Sequence, residues 1–311
     1  MAAIYTCTMN LAIDLFIETD ALEPDVVNRS IDDDIQANGK GVNVSLILKQ
    51  LNQSSTALGF SAGFTGAYID QFLIEKGIQT DFVEVEGMTR INVFTQVNHP
   101  KSEYKLVNKG PNISKEEVNH LLEQIKKIPS GSYLCISGSL PQGVEPTVFE
   151  KIGRVTAQNG VHLIIDTSYR QVLDCLPYQP FLLKPNEDEL AEWFGKEVLT
   201  FEECVFYGKK LIEKGARHVL VSLGDAGGLY ITEGAVFHGN APTGKVVNTA
   251  CAGDTLLGCF IGNYLKGISP EENLTYSLAA ASSTAFQKGL TDLSDVEALS
   301  QQIHIRKLPM D

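Results

Sequence analysis

Asn248-Thr249-Ala250-Cys251-Ala252-Gly253-Asp254, followed by the apolar run Thr255 to Leu265, is the stretch whose reading decides the fold. Val246-Val247-Asn248 reads as the end of a strand, the small residues as a tight turn, and the apolar run as a helix. A helix start gathers unpaired N–H groups and roughly half a positive charge, which suits an anion such as a phosphate. An acid among those donors is out of place in a mere phosphate holder. Asp254 makes sense there if it takes a proton from a nucleophile that attacks the phosphate. The remaining chain should then supply a sugar or alcohol, a nucleotide, and a device that excludes water.

Composition bounds what that remainder can be. The 311 residues, 43% of them hydrophobic, suffice for one large α/β domain or for a domain with a small appendage. A net charge of −13 speaks against a general nucleic-acid binder, which needs a basic face to displace counterions. An anionic substrate stays possible, because a few local cations reverse the field inside a cleft. The six cysteines (Cys7, Cys135, Cys175, Cys204, Cys251 and Cys259) contain no CxxC pair, and the six histidines show no ligand spacing. This points to a reducing compartment and away from a disulfide framework or a zinc site. No apolar stretch approaches the ~18 residues of a membrane span, and the N-terminus lacks signal-peptide character. The expectation is a cytoplasmic protein with neither nucleic-acid nor membrane partners.

Outward from the deciding stretch, strand-like and helix-like patterns alternate. Continuous apolar runs at Ala3 to Met9, Thr56 to Phe60, Tyr133 to Ser137, Val161 to Asp166, Phe181 to Lys184 and His218 to Leu223 read as strands. Between them, Val42 to Leu51, the segment ending at Lys76, Ser114 to Lys127, the segment from Pro146, and Phe201 to Lys214 read as helices. Such alternation implies a parallel sheet covered on both faces. Leu15 to Thr19, Val26 to Ile35, Arg90 to Val97 and Tyr104 to Val107 alternate polar with apolar residues instead. They are expected as a small antiparallel flap over the carboxyl edge of the sheet, where open α/β sheets bind ligands.

Common phosphate motifs do not explain the chain. Gly239 to Lys245 matches the first part of a P-loop, but Val246 stands where the metal-binding hydroxyl belongs. No GxGxxG or HxExH-type pattern occurs.

Asn38-Gly39-Lys40-Gly41-Val42-Asn43-Val44, Thr89 to Val93, Ser137 to Gly143, Lys184-Pro185-Asn186-Glu187-Asp188-Glu189-Leu190, Ser222-Leu223-Gly224 and Ala252-Gly253-Asp254 stand in one order along nearly the whole chain. The ordered set resembles the PfkB (ribokinase-like) carbohydrate kinases, although each piece alone is weak. Within that family, Thr8 to Asp14 and Val85 to Val93 are most similar to the 1-phosphofructokinase branch, with the tagatose-6-phosphate kinases as near neighbours. The resemblance implies a three-layer α/β/α fold with a mostly parallel central sheet and a small antiparallel β-sheet lid. It implies one kinase domain, 1–311, whose lid comes from about 15–36 and 88–108. The implied reaction transfers the γ-phosphoryl group of ATP, with Mg2+, to the free primary hydroxyl of fructose 1-phosphate, giving fructose 1,6-bisphosphate. Another sugar kinase of the family, or a non-catalytic nucleotide or sugar-phosphate sensor, is the alternative.

Residue by residue, the resemblance meets a physical need and usually a plainer role. Asp254 would be the base, and the N–H groups of Cys251, Ala252, Gly253 and Asp254 would stabilise the transferring phosphoryl. Asp14 would hold sugar hydroxyls, or simply cap a turn. Gly39 allows close backbone approach, Lys40 adds charge, and Asn43 offers donor and acceptor to a hydroxyl; a bare NGKG is also an ordinary turn. The planar fork of Arg90 suits a phosphate already on the sugar, or a cross-strand ion pair. Arg29, Lys105 and Lys109 lie in flap-like segments and could assist, while Ser139 could touch the sugar or cap a helix. Lys184 would face the nucleotide. Asn186 and Glu189 would organise magnesium largely through water, although NxxE alone is merely a helix start. Ser222, Gly224 and Gly227 would let a flexible loop approach the nucleotide, or form a tight turn.

Two departures from the family pattern stand out. Leu11 replaces the usual Pro, and Cys251 replaces the usual Gly. Cys251 is strained if the position needs positive φ, and a thiol at a helix N-terminus is expected to be unusually reactive. The exposed edges of a flap sheet also make a homodimer through the lid an expectation.

Overall fold

The computed structural model describes residues 2–309. Its strands are β1 (Ile4–Thr8), β2 (Ala12–Thr19), β3 (Asp32–Asn38), β4 (Ser55–Ala62), β5 (Gln79–Val85), β6 (Arg90–Val97) and β7 (Ser102–Leu106). They continue with β8 (Tyr133–Ser137), β9 (His162–Asp166), β10 (Leu182–Leu183), β11 (His218–Ser222), β12 (Gly228–Thr232), β13 (Val236–Gly239) and β14 (Ile305–Leu308). The helices are α1 (Lys40–Gln50), α2 (Gly63–Glu75), α3 (Lys115–Lys126), α4 (Val148–Asn159), α5 (Glu187–Trp193), α6 (Phe201–Glu213), α7 (Ala252–Leu265), α8 (Pro270–Ala285) and α9 (Val296–Ser300).

Ten strands form one sheet in the order β14-β13-β12-β11-β10-β9-β8-β1-β4-β5. Every pairing from β5 to β11 is parallel, and β12, β13 and β14 continue the sheet in antiparallel fashion. The side-chain period of two explains why its strands read as unbroken apolar runs. Leu163 and Ile165 of β9 enter the core shared with Leu121, Phe149 and Leu211, from α3, α4 and α6. Ile164 between them enters the opposite core with Val44, Leu257 and Leu274, from α1, α7 and α8. Local chemistry fixes the helix ends. Ser114 with Glu117 and Thr200 with Glu203 form reciprocal capping boxes, and Gly160 ends α4 in the left-handed region.

Helix α7 is buried along most of its length. It lies against α1 so closely that a Cβ on Gly258 would come within 2.9 Å of Ile47, and one on Gly262 within 2.8 Å of Leu51. These two glycines therefore let the helix carrying Asp254 pack directly on the helix carrying Lys40 and Asn43.

The second sheet has the order β3-β2-β6-β7 and forms the lid. It consists of two antiparallel pairs, β2 with β3 and β6 with β7, joined side by side through a parallel β2–β6 ladder. Two local expectations change. The strand expected at Val26 to Ile35 begins only at Asp32, because Pro24 and Asp25 (φ 59°) turn the chain and leave Val26 and Val27 exposed. Val246 to Asn248 form no strand. The N–H groups of Val247 and Asn248 both donate to the Ala285 carbonyl at 2.8 and 3.1 Å, which anchors this loop to the end of α8.

Candidate active site

At the start of α7, Cys251 takes a left-handed backbone conformation, φ 64° and ψ −6°, and its carbonyl accepts the first helical bond from Thr255 N–H at 2.9 Å. The positive φ raised by the sequence is real, at a cost of about 1–2 kcal/mol for a residue with a side chain. The N–H groups of the first helical residues have no intrahelical acceptor, and that of Ala252 donates to the Thr249 carbonyl at 3.4 Å. Gly253 matters for space: a Cβ there would sit 3.3 Å from Lys184 Nζ.

These groups open into a cleft of about 410 Å³ between the lid root and the carboxyl edge of the main sheet. Of the residues expected from sequence, Asp14, Gly39, Lys40, Asn43, Arg90, Lys184, Asn186, Glu189, Ser222, Cys251, Gly253 and Asp254 line it. The structure does not bring the others to the cleft wall. Ser139 is exposed beside Arg90, accepting from its guanidinium at 3.4 Å. Arg29 lies exposed in the loop before β3, where its carbonyl accepts from Thr19 Oγ1. Lys105 pairs with Glu103 on β7, and Lys109 is exposed, its carbonyl accepting from Asn10. Gly224 and Gly227 flank a short 3-10 turn, and a Cβ on Gly227 would strike the Gly239 carbonyl at 1.9 Å, so this glycine serves a tight structural turn. Ala252 sits in the first turn of α7 but does not line the cleft.

Sequence reasoning missed Asp166, Asn38 and Asn92. Asp166 is fully buried at the end of β9, and one of its oxygens, Oδ1, lies 3.2 Å from both Lys40 Nζ and Lys184 Nζ. The signal was available: an acid closing the apolar run Leu163-Ile164-Ile165 falls at the carboxyl edge of a parallel sheet. Asn92 donates to Asp14 Oδ1 at 2.8 Å and accepts from Asn108 N–H at 3.1 Å. Asn38 donates to the other Asp14 oxygen.

The electrostatics are those of a cleft in which acids and cations are interleaved. Burial pushes the Asp254 carboxyl up to about 6, helped by repulsion from Asp166 and opposed by Lys40, the Asn43 amide and Lys184. Asn43 Nδ2 reaches Asp254 Oδ2 at 2.8 Å and Cys251 Sγ at 3.2 Å. Burial would raise Asp166 as well, but the two ammonium groups hold it below the usual carboxylate range. Asp14 is raised by burial against the pull of its two asparagine donors and Arg90. Against the reactive-thiol expectation for Cys251, burial, then the Asp254 and Asp14 charges, push its thiol up to about 12. The positive end of a helix does not outweigh desolvation between two carboxylates.

Asn186 and Glu189 make a capping box at α5, Asn186 Oδ1 accepting from Glu189 N–H at 2.7 Å and Glu189 Oε2 from Asn186 N–H at 3.0 Å. Their plainer role is therefore filled while both still line the cleft, and Glu189 keeps one carboxylate oxygen outside the box. Among the described residues no group of three His, Cys, Asp or Glu could hold a metal ion, and no helix is long and apolar enough to cross a membrane. Arg90 forms no ion pair among the described residues. It donates instead to the carbonyls of Asn108 and Asn10, each at 3.2 Å.

A buried carboxylate beside a helix N-terminus, in a cleft that also holds lysines and an arginine under a β lid, defines a phosphotransferase acting on an alcohol group. Residues 5–297 match the pfkB family carbohydrate kinases, and the chain belongs to that family. It is 50% identical over 306 residues to the D-tagatose-1-phosphate kinase of Bacillus licheniformis, covering 98% of this chain and 100% of that protein. It is 37% identical to the 1-phosphofructokinase of Bacillus subtilis, with 98% and 100% covered. The Escherichia coli phosphofructokinase-2 structure in complex with fructose-6-phosphate superposes with a TM-score of 0.88 at 27% identity, covering 97% of this chain and 99% of that one.

Proposed function

We propose that the chain is an ATP-dependent, magnesium-assisted kinase that phosphorylates the free primary hydroxyl of a ketohexose 1-phosphate, converting D-fructose 1-phosphate to fructose 1,6-bisphosphate. The carrying observation is the position of Asp254: a buried carboxylate in the first turn of α7, in one cleft with Asp14, Arg90 and Lys184. Asp254 accepts the proton of the attacking hydroxyl, and the N–H groups at Cys251 to Asp254 take up charge on the transferring phosphoryl. Lys184 faces the nucleotide phosphates. Asp14 and Asn43 hold sugar hydroxyls, Lys40 and Arg90 the phosphate already present, and Ser139 supports Arg90 by accepting from its guanidinium. Arg29 comes from the lid, Ser222 borders the nucleotide side, and Gly224 and Gly227 shape the turn beside it. We take the chain as one kinase domain with a discontinuous lid, 15–36 and 88–108, whose closure excludes water.

Magnesium neutralises charge on the nucleotide phosphates when bound. The residues fit an ion held through water: Asn186 Oδ1 and one Glu189 oxygen are engaged in the capping box, which leaves the second Glu189 oxygen for an ordered water. The four-stranded lid, with exposed Leu106, Tyr104 and Ile35, supports a homodimer; an Escherichia coli phosphofructokinase-2 in its inhibited form is tetrameric. Six free cysteines support a reducing, cytoplasmic setting.

A second reading, D-tagatose 1-phosphate as preferred acceptor, is favoured by one observation, the 50% identity to a D-tagatose-1-phosphate kinase. That relative is named for the 1-phosphate, so tagatose 6-phosphate takes no support from it. Steady-state kinetics with MgATP and fructose 1-phosphate, tagatose 1-phosphate, fructose 6-phosphate, tagatose 6-phosphate and free fructose decide. The highest kcat/KM is expected for a 1-phosphate; a 6-phosphate or the free sugar in first place would overturn the proposal.

A further inference from the structure

Asn38 stands where the lid becomes the main domain. It is the last residue of β3, pairs with Ala12 of β2, and is followed at once by Gly39, the N-cap of α1. Its side chain is engaged at both ends. The Gly39 N–H donates to Asn38 Oδ1 at 2.6 Å, and an N–H can only donate, so the amide orientation is fixed. Asn43 Nδ2 donates to the same Oδ1 at 2.9 Å, while Asn38 Nδ2 points the other way and donates to Asp14 Oδ2. Asn43 Nδ2 also reaches Asp254 Oδ2 at 2.8 Å. One run of hydrogen bonds thus joins Asp14 of the lid, Asn38, Asn43 and Asp254.

We infer that Asn38 is a positioning residue that couples the lid acid Asp14 to the orientation of the base Asp254, acting through Asn43. The inference rests on the kinase reading for the role of Asp254, but the connection itself is a property of the side chains. Asp14 is carried on β2 of the lid sheet, and Asp254 on α7 of the main domain. An amide that donates to one and holds the donor of the other makes the alignment of the base depend on the lid. A sugar hydroxyl that repositions Asp14 is then felt at the atom that must accept the proton. An aspartate at 38 would keep the acceptor for Gly39 and Asn43 but would turn the Asp14 contact from attraction to repulsion. The two arms are therefore separable by substitution.

The test compares Asn38→Ala and Asn38→Asp with the parent, using kcat and KM for the best ketose phosphate, KM for ATP, pH profiles and melting temperature. Asp254 is faced by Asp166 from β9, Lys40 and Asn43 from α1, Lys184 beyond β10 and Cys251 from its own turn, all unchanged in both variants. For Asn38→Ala the expected loss in kcat is about tenfold or more, the worth of one hydrogen bond to a charged group. The acid limb should move to higher pH, because Asn43 loses its anchor, and KM for ATP should stay within about twofold. Asn38→Asp should chiefly raise KM for the sugar phosphate, with a smaller loss in kcat. Unchanged kcat and acid limb in Asn38→Ala would overturn the inference. So would equal losses in every parameter of both variants alongside a fall in melting temperature, the pattern of a merely structural residue. If the parent turns over no ketose phosphate, the kinase proposal fails on its own. The coupling is then read from the carboxyl-carbon NMR titration of Asp254, which Asn38→Ala should move upward and which an unmoved midpoint would refute.

Discussion

Replacing Asp166 by asparagine removes one charge and almost no volume, from a site where that charge serves two lysines. Asp166 Oδ1 lies 3.2 Å from both ammonium groups, but the Lys184 side chain is 4% exposed and the Lys40 side chain 38% exposed. Lys40 can turn to water and loses little. Lys184 cannot, and stranding one member of a buried pair costs about 3–5 kcal/mol. Asp254 also faces Lys184 and supplies part of the missing charge, which places the expected cost for Asp166→Asn near the lower end, about 3 kcal/mol. At about 2 °C per kcal/mol for a chain of this size, the melting temperature should fall by about 6 °C. A second consequence has the opposite flavour. Asp166 repels Asp254, and its lysines would turn toward Asp254 once released, so the Asp254 carboxyl should ionise more easily. The acid limb of kcat/KM should therefore move to lower pH in the variant that is less stable. Thermal unfolding of nucleotide-free protein at pH 7.5 and a kinetic pH series give both readings. A melting temperature within about 1 °C of the parent, or an acid limb that moves upward, would refute the reasoning.

Two further expectations follow from the same electrostatics. As the proposed base, Asp254 must be ionised, and burial raises its carboxyl to about 6. In the parent, kcat/KM for the acceptor should thus be level above pH 7, half lost near pH 6 and fall about tenfold per unit below that; a midpoint near 4 would show that the base is not the buried Asp254. The Cys251 thiol, pushed up to about 12 by burial and two carboxylates, should alkylate at pH 7.5 more slowly than an unperturbed thiol of pKa about 8.5. Time-resolved iodoacetamide labelling with peptide mass spectrometry measures this, and faster labelling than free cysteine would contradict the geometry.

Much of the molecule was legible in the residues because it follows from period and position. Apolar runs such as Leu134 to Ile136 and Leu163 to Ile165 announce strands buried on both faces, and the loops that follow such strands are where a parallel sheet places its site. Asp254 was legible from its own turn, whereas Asp14, Lys40, Asn43 and Lys184 joined it through the resemblance to the PfkB kinases; all five share one cleft. The antiparallel extension β12-β13-β14 was less visible, because four- and five-residue strands carry little pattern and β14 pairs across some 65 residues of chain. Val246-Val247 misled because β-branched residues favour strands only where a neighbouring strand exists to pair with. Here the neighbour is the end of α8. Asp166 and Asn38 were missed because their importance lies in partners distant in sequence: Asp166 reaches back 126 residues to Lys40, and Asn38 reaches 24 residues to Asp14. The expectation for Cys251 weighed the helix start alone, whereas its partial burial and the neighbouring acids, which raise the thiol, are tertiary facts.

The central claim is that Asp254 takes the proton from the hydroxyl that receives the phosphoryl group. Phosphorus NMR of the parent and of Asp254→Asn, each incubated with MgATP and a ketohexose 1-phosphate, tests it most directly. The parent should yield the bisphosphate with the new phosphate on the primary hydroxyl. Asp254→Asn should still bind ATP while forming that product about 10²–10⁴ times more slowly, the usual worth of a general base. Product formation by Asp254→Asn at the parent's rate would contradict the account.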